Sequence, residues 1–299
     1  MRTIFLLYFL TAIFPSHAGQ IALSFDDAPT QDSPLMTGVS RTQQLIQQLE
    51  KHHVSQAIFF STTQHLDTAA THRLRAYGRA GHLIGNHSHS HRSANNITTA
   101  EYLQDAGKAH ELLKDLHGFT PLHRFPFLHY GASKVSIDAL QEGLTELGYR
   151  NGYVTIDNAD WYLNHRYLQA IQQGKPYPEK AFAQLYVDTL WQAIEFYDAW
   201  AKDILGKSPK HILLLHENDI AALFIGDLIE KIRREGWQII SAREAYDEPL
   251  LNALPVTTFH KQGRVAAIAN AKGHTPEALR HPRENSETLD ALLARLKTK

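Results

Sequence analysis

The chain of 299 residues contains no cysteine. That excludes disulfide cross-links, thiol nucleophiles, cysteine-bound zinc and a lipid anchor on an N-terminal cysteine. An excess of one charge is also missing. The 30 basic residues face 31 acidic ones, a formal net charge of −1, so no polyanion such as nucleic acid is expected as a partner. No internal repeat and no low-complexity block is visible, and the HExxH zinc signature is absent. What is present is an ordinary globular composition, 43% hydrophobic and 20% charged, which is enough for a sizeable core.

Two features rise above that background. The first 18 residues read as a signal peptide: Arg2 gives the positive start, Ile4 to Phe14 the apolar stretch, and Ser16-His17-Ala18 the small residues of a cleavage site. The stretch is too short to span a bilayer comfortably, so an exported protein, periplasmic or secreted, is expected, with no membrane anchor after cleavage. Histidine is frequent, at 19 residues, which matters only where histidines stand at ligand spacing.

Along the chain, short apolar runs alternate with helical patterns. Strands are expected at 21–25, 57–60, 82–85, 122–127, 153–156, 211–215 and 237–240. Helices are expected at 42–52, 69–80, from the capping box Thr98/Glu101 to about 116, at 136–147, 182–204 and 221–234. About seven strand–helix units predict an α/β fold closing as a (β/α)-type barrel, with polar clusters at the C-terminal ends of its strands. Residues 19–248 form the expected main domain. The tail 249–299 changes character, with an amphipathic helix expected at 286–296, and is too short to bury a core of its own.

Five polar clusters follow apolar runs. Asp26-Asp27 places two carboxylates side by side, which is costly unless a cation sits there, and successive side chains of an extended chain point opposite ways, so the two should differ in role. His87 and His91 in HSHSH stand at i and i+4, a spacing that can hold one ion, with His89 pointing elsewhere. Arg124 lies in RFPF, Asp157 and Asp160 in DNADW, and His216 ends ILLLH. Each taken alone also fits a plain structural role: a solvated loop, a surface ion pair or a satisfied core histidine.

Taken together and in order, SFDDAP, HSHSH, RFPF, DNADW and LLLH resemble the five motifs of the polysaccharide deacetylases of carbohydrate esterase family 4, the NodB-like domain. The resemblance spans about Ile21 to Tyr246. It implies a distorted (β/α)7-type barrel and a hydrolase that removes N-acetyl groups from a polysaccharide or oligosaccharide, peptidoglycan-like or chitin-like. It implies a divalent metal, usually Zn²⁺, on Asp27, His87 and His91, with positions left open for water and substrate. It further implies Asp26 as the base that deprotonates water, Arg124 as the residue orienting it, His216 as the acid that protonates the departing nitrogen, and Asp160 as the partner of His216. Phe127, Trp161 and Leu213 would contact the substrate, and a backbone N–H near Phe127 would help stabilise the oxyanion.

Several departures bear on this reading. Ala28 stands where the family has glycine, which is tolerable if its φ is negative. Phe127 replaces a tyrosine, and Glu217 stands where aspartate is frequent. The long spacing between Arg124 and the fourth motif leaves Asp157 as an alternative to Asp160. His129 and Tyr130 are candidates to line the cleft, and 162–180 is a candidate recognition loop. Three other readings compete with the glycan amidase: an O-acetyl esterase acting on xylan-type substrates, a small-molecule C–N hydrolase, and a non-catalytic carbohydrate-binding relative.

Overall fold

The computed structural model describes residues 19–251 and 254–296; the expected signal peptide, 1–18, lies outside the described residues. The chain runs β1 (Gln20–Ala28), α1 (Gly38–Lys51), β2 (Ile58–Ser61), α2 (Thr68–Arg79), β3 (Leu83–Asn86), α3 (Thr99–Leu113) and β4 (Phe119–His123). It continues with α4 (Lys134–Glu146), β5 (Arg150–Asn151), α5 (Asp160–Gln172), α6 (Glu179–Leu205), β6 (Lys210–His216), α7 (Asp219–Arg234) and β7 (Gln238–Ile239). After these come α8 (Ala242–Ala245), α9 (Gly263–Ala271) and α10 (Ser286–Leu296). The capping box predicted at Thr98 is formed, with Glu101 closing it, and Gly148 follows α4 at φ 82°, where a left-handed residue is needed.

All strand pairs are parallel, in the order β5-β4-β3-β2-β1-β6, with β7 pairing the start of β1. The run 150–156 links the two edges. It pairs with β4 as β5, and its end bonds β6 through Thr155 N–H to Ile212 O (3.0 Å) and Leu214 N–H to Ile156 O (3.0 Å). The sheet thus curls into the distorted seven-stranded barrel expected from the sequence, with helices outside.

Alternation along the strands sorts the side chains into two cores. Ile21, Leu23 and Phe25 on β1, Phe59 on β2, and Leu213 and Leu215 on β6 face the helices. Ala22, Ile58, Phe60, Leu122, Ile212 and Leu214 fill the barrel interior. The same parity turns Ser24 and Asp26, and on β6 His216, toward the barrel axis. Asp26 and His216 are register partners across the β1–β6 pair, so two polar side chains stand together at the C-terminal mouth.

Three expectations change. The strand expected at 122–127 is β4 at 119–123; the chain then enters a 3₁₀ turn at Pro126–Leu128, because Pro126 has no N–H to continue a ladder and Phe127 and Leu128 take φ of 58° and 53°. The stretch 153–156 has no ladder of its own and makes one bridge, Ile156 to Leu213. Residues 162–180 are not a loop: most belong to α5, and Tyr167 and Tyr177 are buried against Phe182 rather than offered to solvent. The tail packs into the layer between sheet and helices, burying Val265, Ala266, Ala269, Leu279, Leu289 and Leu293 there. None of the described helices is long and apolar enough to cross a membrane.

Candidate active site

The first cluster forms where β1 ends. Asp26 keeps strand geometry and points inward, but Asp27 takes φ 66°, which swings its carboxylate across the mouth. The left-handed residue in this motif is therefore Asp27, and Ala28 is not among the positive-φ residues, which accounts for its tolerance. Six described non-glycine residues have positive φ, and five of them, Asp27, Ser88, His91, Phe127 and Leu128, surround this mouth. Such conformations persist only where the surroundings hold them, and they cluster at functional sites.

Those surroundings are visible around the histidines. After β3, Asn86 Oδ1 accepts from Ser88 N–H (2.8 Å), Ser88 Oγ accepts from His91 N–H (3.0 Å), and Asp105 on α3 accepts from the N–H groups of His89 and Ser90 and from Ser90 Oγ. His87 is buried, and its Nδ1 donates to the carbonyl of Arg124 (2.8 Å), which leaves Nε2 as the free lone pair. That Nε2 stands 3.6 Å from Asp27 Oδ1, and His91 Nε2 is 3.2 Å from the same oxygen. The ligand atoms of Asp27, His87 and His91 all lie within 4.8 Å of one another. Burial, with His91 adding to it, holds His87 well below the usual imidazole range, in the neutral form that binds metals. One carboxylate and two imidazoles suit a borderline cation such as Zn²⁺. His89 turns away and bonds Thr63 Oγ1 (2.9 Å).

Arg124 is wholly buried, yet its guanidinium is well supplied with acceptors. Nη1 donates to Asp26 Oδ1 (2.7 Å), Nη2 reaches Ser24 Oγ (3.2 Å) and Tyr246 OH (3.1 Å), and Nε donates to the Gly152 carbonyl. Its plane lies over the Phe60 ring, 4.3 Å from the centroid. Gly85 and Gly152 flank that ring so closely that a Cβ on either would fall 2.5–2.7 Å from it. Asp26 is therefore held from behind, with its other oxygen 3.6 Å from His87 Nε2. Burial raises the pKa of Asp26, Arg124 and His216 oppose the rise, and the net effect is upward, toward a better base.

The opposite wall carries His216. Its Nδ1 bonds Asp160 Oδ1 at 2.6 Å, and Asp160 Oδ2 accepts from the backbone N–H of His216 (2.9 Å) and from Asn218 Nδ2 (3.1 Å). Asp160, and not Asp157, is thus the carboxylate bonded to His216. Burial pulls the imidazole pKa down, but Asp160, followed by Asp27 and Asp26, outweighs it and pushes it up to about 10. His216 is a cation at neutral pH, with Nε2 left to face the cleft.

A cleft of about 400 Å³ joins these parts. Asp26, Asp27, His87, His91 and His216 line it, with Phe127, Leu128, Asp157, Trp161 and Leu214. Phe127 and Trp161 are each 55% exposed at its edge. Leu213, expected on this wall, faces the helices instead; the two-residue period of β6 puts Leu214 beside His216. His129 and Tyr130 also stand outside the lining, because His129 bonds Ser93 Oγ and Tyr130 is buried against Phe125 and His260.

Sequence reasoning missed a buried network behind the first motif. Glu217 is paired with Arg73 (2.7 Å), accepts from Tyr77 OH (2.8 Å), and receives Thr30 N–H (2.6 Å); Arg41 pairs with Asp219 (2.6 Å) and reaches Thr30. This ties the loop after Asp26-Asp27 to α1, α2 and α7. Arginines at positions 41 and 73, on the apolar faces of two amphipathic helices, were the available signal. The tail also contributes Lys261, Gln262, Arg280 and Glu284 to the cleft, which no sequence pattern marked.

Comparison with known proteins bears on the family and the fold. The family model described as polysaccharide deacetylase matches residues 15–151. A peptidoglycan-N-acetylglucosamine deacetylase of Bacillus cereus is 26% identical over 147 residues, 49% of this chain and 48% of that protein. A chitin deacetylase of Colletotrichum lindemuthianum is 26% identical over 151 residues, 49% of this chain and 54% of that protein. The chain spans about half the length of these curated relatives. Among solved structures, a mutant of a CE4 family pseudoenzyme shares the fold, with TM-score 0.55 and 16% identity over 78% of this chain and 69% of the other. The polysaccharide deacetylase model thus matches the N-terminal part of this chain, and the fold as a whole is similar to that of a family 4 carbohydrate esterase from Streptomyces lividans, with TM-score 0.52 and 18% identity over 77% of this chain and 97% of the other.

Proposed function

We propose that the chain is a metal-dependent hydrolase that removes N-acetyl groups from an extracytoplasmic glycan, peptidoglycan-like or chitin-like. The observation that carries the reading is the complete set of groups around one cleft: Asp26 braced by Arg124 on one side, His216 braced by Asp160 on the other, and Asp27, His87 and His91 between them. A fold shared with a pseudoenzyme does not decide activity, so the weight falls on these residues.

Asp27, His87 and His91 would hold the cation, most reasonably Zn²⁺. When bound, it supplies Lewis-acid activation of water and of the acetyl carbonyl. Asp26, buried and lifted in pKa but kept in place by Arg124, accepts a proton from the attacking water. His216, charged at neutral pH, donates the proton that the departing amine nitrogen needs, because an amide anion is a very poor leaving group. Asp160 fixes the imidazole and balances its charge. Phe127 and Trp161 offer apolar faces to a sugar ring, Leu214 packs beside the acetyl methyl, and the backbone N–H of Phe127 is the candidate oxyanion donor. A binding-only descendant needs no such acid–base pair.

The test is acetate release from N-acetylglucosamine oligomers and from peptidoglycan, with Zn²⁺ added and then removed by chelation. Release that stops on chelation is expected. Release from acetylated xylan alone would assign ester hydrolysis instead, and glycan binding without acetate release under any metal would make the protein a binding relative.

A further inference from the structure

The tail brings two cations to the rim of the cleft, Lys261 and Arg280. Both are held by rigid neighbours. Lys261 lies two residues before Gly263, which has φ 84° and where a Cβ would fall 2.8 Å from the Val154 carbonyl oxygen. The next residue, Arg264, donates its N–H to Val154 O (2.7 Å), which seats the start of α9 on the 150–156 run. Arg280 donates Nη2 to the carbonyl of Glu284 (2.9 Å) and follows the wholly buried Leu279.

The acids around them leave Lys261 without an ion pair among the described residues and Arg280 with one long pair, to Glu284. The nearest carboxylate oxygen of Glu284 is 3.9 Å from the Nε of Arg280, whose side chain is half exposed. Asp26 is committed to Arg124, Asp160 to His216, and Asp27 to the histidine pair. Glu284 is buried and already accepts from Tyr197 OH (2.7 Å), His281 N–H (3.1 Å) and Gln262. Burial pushes Glu284 up to about 7, and burial with the nearby Glu284 carries Asp157 well above the carboxylate range, so this pair shares less than two full charges.

We propose that Lys261 and Arg280 select glycans that carry a carboxylate close to the acetamido group being cleaved, on the same sugar chain. The inference rests on the deacetylase reading above and adds the charge of its substrate. A cleft of this size holds one or two sugar rings, so a carboxylate on the neighbouring sugar is within its span. The carboxylate is either the lactyl carboxylate of a peptidoglycan strand whose stem peptide has been removed, or that of a uronic acid.

The experiment compares three oligosaccharides of equal length: neutral N-acetylglucosamine oligomers, peptide-free peptidoglycan strands with free lactyl carboxylates, and oligomers alternating N-acetylglucosamine with a uronate. Acetate release gives kcat/KM, and calorimetry gives affinity, at low and high salt. At least one acidic series is expected to exceed the neutral one by about tenfold at low salt, with the ratio shrinking as salt rises. The double variant Lys261→Gln/Arg280→Gln should bring the ratio close to one, and Lys261→Arg should preserve it. Which acidic series responds identifies the source of the carboxylate. Equal use of neutral and acidic series by the native protein, or a ratio untouched in the double variant, would overturn the inference and leave the deacetylase standing. Absence of acetate from all three would overturn the deacetylase reading, and the affinities would still decide whether the two cations read a carboxylate.

Discussion

Replacing Asp160 with asparagine isolates the role assigned to His216. The substitution keeps size and shape but removes the charge that is the largest upward influence on the imidazole, now at about 10. Without it, burial is opposed only by the more distant Asp26 and Asp27, and the pKa should return to near or below the ordinary 6.5. At pH 8 the native histidine is almost fully protonated, whereas one titrating near 6.5 is protonated only to about 3%, so amide turnover should fall about 30-fold. The sign is specific: the loss grows as pH rises, because the acid form is the one required. The alkaline limb of the kcat profile should move from above pH 9 to near 7. An ester substrate, whose leaving group needs less protonation, should lose much less. Stability should fall by only about 1–3 kcal/mol, since the amide keeps one acceptor for the His216 N–H and Asn218 bonds. Acetate release measured from pH 6 to pH 10 on matched amide and ester substrates is the assay. An unmoved alkaline limb, or equal losses on both substrates, would refute His216 as proton donor to nitrogen.

Other outcomes follow from the same structure. His91→Ala should lose the bound metal, measured by elemental analysis after dialysis, with little change in melting temperature because His91 is part-exposed at the loop surface; retained stoichiometric metal would contradict the ligand set. Glu217→Ala strands the buried Arg73 guanidinium and should cost about 3–5 kcal/mol in chemical denaturation, and an unchanged midpoint would deny the network its structural role. Acid should destabilise the fold early. Burial lowers His82 to about 4 and His123 to about 3, so the unfolded chain binds protons that the folded chain refuses, and stability present above pH 6.5 is lost as pH falls toward 4. At about 1.4 kcal/mol per pH unit the two together amount to several kcal/mol, and a flat stability between pH 7 and pH 4 would contradict this.

Much of the architecture was legible because strand and helix periods are local properties. Seven apolar runs separated by amphipathic helices gave the barrel, and the polar residues closing those runs gave its mouth. Asp26, Arg124 and His216 could be placed at that mouth because strand ends are written in the chain. The failures were tertiary. Position 213 and position 214 are both leucine, so the sequence offered no contrast to show which faced the cleft, and only the pairing of β6 with β1 set the parity. The helix at 160–172 was obscured by its aromatic residues, which looked like a recognition loop and proved to be packing against α6 and α7.

By itself, the sequence determined the fold class and, through the order of its five motifs, the candidates Asp26, Asp27, His87 and His91, because each motif is a local cluster that closes an apolar run. The tertiary structure alone decided that Asp160 and not Asp157 meets His216, that Asp27 turns through a left-handed residue to face the histidines, and that Glu217 anchors the loop behind them. It alone brought Lys261 and Arg280 to the cleft from more than 40 residues beyond the last motif. The physical reason is the same in each case. These contacts depend on how separate elements pack and on which carboxylate the burial of a neighbour leaves unpaired, and no local pattern of residues encodes that.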